Sequence, residues 1–204
     1  MHMLVNDTIY FSAFDGSTGI ELWAHNTSNQ STWQVADINS GPNPSFVYDY
    51  AEILVGDTIY FSADDGNTGV ELWAHDTSNH STWLAADVVN GSQGGGPGAY
   101  MEILVGDTIY FSAQGEPTIG VELWAHDTSN HSTWLVADVY SGGHGSPGYG
   151  MAILVGDTIL FTASDGKTGR ELWAHDTSNN STWQLSDINS GLYSSSPGFY
   201  MFML

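Results

Sequence analysis

The feature that constrains this chain most is its internal repetition. Leu-Val recurs at Leu4-Val5, Leu54-Val55, Leu104-Val105 and Leu154-Val155, a constant step of 50 residues. Glu-Leu-Trp-Ala-His recurs from Glu21, Glu71, Glu122 and Glu171, with steps of 50, 51 and 49. The third copy gains one residue in the turn from Gln114 to Gly120 and loses one before the fourth. Insertions confined to turns keep strands in register, so the copies are versions of one structural unit. They run approximately 1-50, 51-100, 101-150 and 151-200, read together as one domain over 1-204. Met201-Phe202-Met203-Leu204 then falls on the positions of the opening Met1-His2-Met3-Leu4.

Each copy reads as four β-strands. In the second, Glu52 to Val55 is a short β-rich run and Gly56-Asp57 a tight hairpin turn. Thr58 to Ala63 alternates, with Ile59, Phe61 and Ala63 on one face and Tyr60 and Ser62 on the other. Asp65-Gly66-Asn67 breaks the chain, Val70 to His75 is a third strand, and Thr82 to Val88 follows the polar turn as a fourth. Gly91 to Gly98 is a glycine-rich connection to the next copy, and no stretch carries helical periodicity. Apolar residues on both faces of the strands call for sheets covered on both sides. Stacked four-stranded blades provide that, so the expected fold is an all-β propeller of four four-stranded blades. A β-solenoid or other stacked array is the alternative architecture.

The segments Gly-Val-Glu-Leu-Trp-Ala-His-Asp-Thr, Trp-Leu-Val-Ala-Asp-Val and Ile-Leu-Val-Gly-Asp-Thr-Ile-Leu-Phe-Thr-Ala-Ser-Asp-Gly-Lys-Thr-Gly, between Gly120 and Gly169, resemble the ELWxxDGT repeat family. The likeness extends over all four copies. It departs after the tryptophan strand, where the family's Asp-Gly-Thr is replaced by Asp-Thr-Ser-Asn, or Asn-Thr-Ser-Asn in the first copy. The resemblance implies propeller-forming tandem repeats of prokaryotic surface or secreted proteins, an extracellular or cell-surface location, and a binding or structural role.

The duplicated opening strand allows two assemblies. In one, four blades close within a monomer and one end replaces the other. In the other, each chain is half of an eight-bladed ring, a homodimer exchanging its terminal strands. The near-identity of the copies and the abrupt Met-His-Met start suggest an excised or engineered repeat scaffold.

Charge narrows the partners. Twenty-three carboxylates face Lys167 and Arg170 alone, for a net charge of −21. That field repels nucleic acid and anionic membrane surfaces, and the chain has no cysteine for disulfides or thiolate sites. No apolar run is long enough for membrane insertion, and none reads as a signal peptide.

Four constellations carry candidate chemistry. Glu21 and His25, Glu71 and His75, Glu122 and His126, and Glu171 and His175 alternate with a tryptophan onto one strand face. Copies one to three hold no base to pair with the glutamate, so a buried carboxylate there needs hydrogen bonds from backbone N–H, indole, hydroxyl or imidazole. A structural clip is expected in place of a metal or sugar site. Asp65, Asn67 and Glu71 offer an oxygen-rich spacing for Ca2+, but Lys167 and Gly115-Glu116-Pro117 interrupt it in the other copies. No resident cofactor or metal is expected. Asn29, Asn79, Asn130 and Asn179 sit in glycosylation sequons at the third turn, where Asn, Ser and Thr also serve simply as turn formers. Trp33, Trp83, Trp134 and Trp183, with Tyr50, Tyr100, Tyr149 and Tyr200, are candidate glycan platforms or inter-blade packing. Every suspicious group comes in fours and no hydrolase or phosphate motif is present. The expected function is a non-enzymatic structural or binding module, with a lectin-like, adhesive propeller as the alternative.

Overall fold

The computed structural model describes residues 2–116 and 118–199; Met1, Pro117, Tyr200 and the duplicated strand at 201–204 lie outside the described residues. Each repeat folds as one four-stranded antiparallel sheet with its strands in sequence order. Blade 1 comprises β1 His2–Val5, β2 Thr8–Phe14, β3 Ile20–Asn26 and β4 Thr32–Ala36. Blade 2 comprises β5 Tyr48–Val55, β6 Thr58–Asp64, β7 Val70–Asp76 and β8 Ser81–Ala86. Blade 3 comprises β9 Glu102–Val105, β10 Thr108–Gln114, β11 Val121–Asp127 and β12 Ser132–Ala137. Blade 4 comprises β13 Ala152–Val155, β14 Thr158–Ser164, β15 Arg170–Asp176 and β16 Ser181–Ser186. The chain falls into two compact units, Met1–Pro97 with blades 1 and 2 and Gly98–Leu204 with blades 3 and 4.

Register assigns each side chain a face. Ile59, Phe61 and Ala63 of β6 lie opposite His75, Trp73 and Glu71 of β7, so these six share one face. In blade 1, Tyr10 lies opposite Ala24, which lies opposite Trp33, and these form the other face. The core of the first unit joins the two: Val5, Tyr10, Leu22 and Ala24 of blade 1 pack against Ile59, Phe61 and Ala63 of blade 2. We term the face turned to the preceding blade leading and the opposite face trailing. The second unit repeats the arrangement, with Tyr110, Leu123 and Ala125 against Ile159, Phe161 and Ala163. Within each unit, the trailing face of the first blade and the leading face of the second are thus apolar because they cover one another.

One strand ends sooner than its β-rich sequence suggests. The fourth strand of blade 2 was expected to reach Val88 but stops at Ala86. The amides of Val88 and Val89 are taken by the Glu71 carboxylate, which draws the chain out of the sheet.

The hairpin joining the third and fourth strands places Gln30, His80, His131 and Asn180 in the left-handed region, at φ between 58° and 63°. A side chain with a Cβ is disfavoured there by about 1–2 kcal/mol. His80→Gly is therefore expected to stabilise the protein by about 1 kcal/mol. Urea denaturation of the variant checks this, and a loss of stability would show that the His80 ring contributes more than the backbone costs.

Candidate functional site

The most chemically loaded row of each blade is the glutamate, tryptophan and histidine of its third strand. All three side chains lie on the leading face, so in blades 2 and 4 they are enclosed by the preceding blade of the same unit.

Glu21, Glu71, Glu122 and Glu171 are fully buried. Glu71 accepts N–H bonds from Val88 (2.9 Å), Val89 (3.3 Å) and Gly95 (2.7 Å). Glu122 accepts from Val139 and Gly145, both at 2.7 Å. Glu21 takes Ile38 and Ser45, and Glu171 takes Ile188, Ser195 N–H and the Ser195 hydroxyl. Each carboxylate thus ties the start of the connection leaving its own blade to a point further along it. Of the donors foreseen from sequence, backbone amides supply the bonds and the serine hydroxyl adds one. The indole Nε1 of Trp23, Trp73, Trp124 and Trp173 is buried without a hydrogen-bond partner.

The histidines turn the other way along the strand. Nδ1 of His25, His75, His126 and His175 lies 2.7 or 2.8 Å from the hydroxyl of Thr32, Thr82, Thr133 and Thr182 respectively. These threonines, seven residues downstream each time, were not singled out from sequence, although the constant spacing across a hairpin is the signal. His75 also packs on Tyr10 with ring centroids 5.5 Å apart, and His175 on Tyr110 at 5.4 Å. Glutamate and histidine therefore share a face but serve different neighbours.

The calcium spacing does not converge. Asp65 Oδ1 accepts from Asn67 N–H, Thr68 N–H and the Thr68 hydroxyl, which closes the turn, while Glu71 points into its own connection. Among the described residues no three His, Asp or Glu side chains group as a metal set. The sequon turns are also tied internally. Nδ2 of Asn79, Asn130 and Asn179 donates to Asp76, Asp127 and Asp176 at 2.7 to 2.9 Å, so the nitrogen a glycan would occupy is engaged.

The candidate platforms divide. Trp33 and Trp134 pack against the two cores, Trp83 is half-buried, and Trp183 is exposed. Tyr100 meets Tyr149 edge to face with centroids 5.0 Å apart, and Tyr149 meets Phe199 at 5.0 Å. Arg170 lies over the Tyr149 ring at 4.9 Å and donates to the Ser146 carbonyl. Tyr200 and the Tyr50 side chain lie outside what is described.

Burial acts on the histidine and the glutamate of blades 2 and 3 with opposite signs. It holds His75 and His126 down to about 4, with His80 and His131 adding to the effect. It pushes Glu71 and Glu122 up to about 7, against the backbone N–H bonds that favour the ionised form. An unfolded histidine takes up its proton near 6.5, so the histidine contribution is present above that pH and is lost as pH falls towards 4. An unfolded glutamate protonates near 4.5, so the glutamate contribution is present below that pH and is lost as pH rises through 7. The slopes oppose each other between about pH 4.5 and 6.5. Calorimetric Tm is expected to change little there in the parent chain. It should rise on acidification in His75→Asn/His126→Asn and fall on acidification in Glu71→Gln/Glu122→Gln. Identical slopes in all three proteins would refute the assignment.

No family model matches the chain, and no curated protein matches it. Solved structures do. Puromycin hydrolase aligns with 93% of this chain over 28% of its own, at 13% identity and a TM-score of 0.60. A Mycobacterium tuberculosis puromycin-hydrolyzing peptidase aligns with 94% of this chain over 28% of its own, at 11% identity and a TM-score of 0.56. A chain from a structural study of two prolyl endopeptidases covers 87% of this one over 24% of its own, at 11% identity and a TM-score of 0.52. The chain thus spans about a quarter of the length of these three structures. At such identity the likeness is one of fold: this is an all-β protein of four four-stranded propeller blades.

Proposed function

We propose that the chain is a non-enzymatic propeller segment, an architectural or binding module of a surface or secreted protein. The observation that carries this reading is the use made of the buried carboxylates. In all four blades the glutamate accepts hydrogen bonds from its own blade's connection, leaving a rigid frame that presents loops. The net charge of −21 and the likeness to ELWxxDGT repeats support an extracellular setting. The hydrolytic activities named for the structural neighbours belong to chains more than three times as long, and nothing in the repeated row supplies an asymmetric nucleophile and base.

A second reading, carbohydrate binding, is favoured by one observation. Tyr100, Tyr149 and Phe199 form a half-exposed ladder beside Arg170, a surface on which a sugar ring can stack. A glycan panel read by Trp and Tyr fluorescence, with a dye-coupled hydrolase screen in parallel, separates the cases. A flat response and no turnover are expected of the architectural module. A saturable signal lost in Tyr149→Ala would establish the lectin-like reading, and robust turnover would overturn both.

A further inference from the structure

Within each unit, the trailing face of one blade packs against the leading face of the next, and the same residues do it each time. This gives an internal standard for what a covered face looks like. On the leading face, Ile59 and Ile159 are 0% exposed, yet Ile9 at the same position of blade 1 is 36% exposed. Phe61 and Phe161 are sealed, whereas Phe11 is half-buried, and His25 is half-buried where His75 and His175 are enclosed. On the trailing face, Val5 is 7% exposed, but Val155, its counterpart in blade 4, is 55% exposed. Ile153, Trp183 and Leu185 are likewise exposed, and Leu160 and Leu172 half-buried, where Tyr10 and Leu22 are fully enclosed in the core.

These two open faces are complementary in residue type and position. The row Ile153, Leu160, Ala174, Trp183 on blade 4 matches Met3, Tyr10, Ala24, Trp33 on blade 1, which already seats a leading face. The leading face of blade 1 offers Ile9, Phe11, Ala13 and Trp23, the same residues with which blade 2 fills that seat. Its one carboxylate, Glu21, is bonded to Ile38 and Ser45, so no free charge opposes docking.

We propose that copies of this chain associate head to tail, the leading face of blade 1 in one copy seating on the trailing face of blade 4 in another. The occupant of each face is a second copy because the chain itself contains the complementary surface. The interface is heterologous, and it differs from an exchange of the terminal strands, since it uses whole sheet faces. With −21 charges on each copy, association strengthens as salt screens the repulsion.

Two measurements test this. Light scattering in moderate and high salt is expected to give multiples of the 22.0 kDa chain, rising with concentration. Ile9 and Trp183 lie outside the two packed cores, so Ile9→Asp and Trp183→Asp should each keep its β circular dichroism while the mass falls to that of one chain. A single-chain mass at every concentration, or assembly unchanged in both folded variants, would overturn the proposal. The chain has no cysteine, so His25→Cys and Leu160→Cys, at the positions of the packed His75 and Tyr10, give a directional probe. A short bismaleimide should link the mixed variants into a species of twice the chain mass and leave each alone unlinked. No product from the mixture, or equal products from the separate variants, would overturn the head-to-tail orientation.

Discussion

Glu71→Ala is expected to destabilise the first unit by about 3–5 kcal/mol, because it strips the shared acceptor from several buried donors at once. Three backbone N–H groups, of Val88, Val89 and Gly95, lose their acceptor in a site with no solvent access. Each buried donor left unsatisfied costs about 1–3 kcal/mol, moderated where water enters. The connection itself offers little in return. It is rich in glycine, and Gly96 N–H to the Val70 carbonyl is one of its few other anchors. Its path is tight as well: a Cβ on Gly94 would stand 2.1 Å from the Val70 nitrogen. Glu71→Gln keeps one acceptor oxygen but sets an NH2 group against an N–H, so an intermediate loss is expected. Urea denaturation gives the stabilities, and hydrogen exchange at Val88 and Gly95 localises the effect. An alanine variant within about 1 kcal/mol of the parent would mean that the clamp contributes little net stability.

A second large effect is expected at the phenylalanine of the second strand, and it should depend on which copy is changed. Phe161→Ala removes a ring with no exposed surface from the core of the second unit, where deletions of this kind cost about 3–5 kcal/mol. Phe11→Ala makes the same chemical change on the open leading face of blade 1, where part of the ring already meets water. Its cost should be about 1–2 kcal/mol at a protein concentration low enough to keep chains apart. The comparison holds sequence context nearly constant, since Ile, Phe and Ala alternate identically in both strands. Equal losses would show that the blade 1 face is covered even in the isolated chain.

Much of this architecture is legible in the residues. The step of 50 gives the blade, the Gly-Asp turn and the alternation of Ile59, Phe61 and Ala63 give the hairpin, and the turns absorb the insertion in the third copy. The face shared by Glu71, Trp73 and His75 also follows from a strand's period of two. What binds the glutamate does not. Its partners are main-chain amides 17 to 24 residues downstream, which every residue type except proline carries, so no side-chain pattern marks them. The sequon asparagines misled for a related reason, because Asn79 is a hydrogen-bond donor to Asp76 as readily as a modification site. Nor could the strand reveal which face meets which neighbour, since a row apolar on both sides is symmetric until a partner is placed.

The glutamate clamp has one more consequence, for how such genes change length. Glu71 and everything it holds, from Val88 to Gly95, lie inside one repeat, as do Glu21 with Ser45, Glu122 with Gly145, and Glu171 with Ser195. Bolt and nut are encoded on the same stretch of DNA. Recombination between neighbouring copies, in register, adds or deletes a blade without parting any carboxylate from its amides. Copy number is therefore free to drift while every surviving blade stays internally complete.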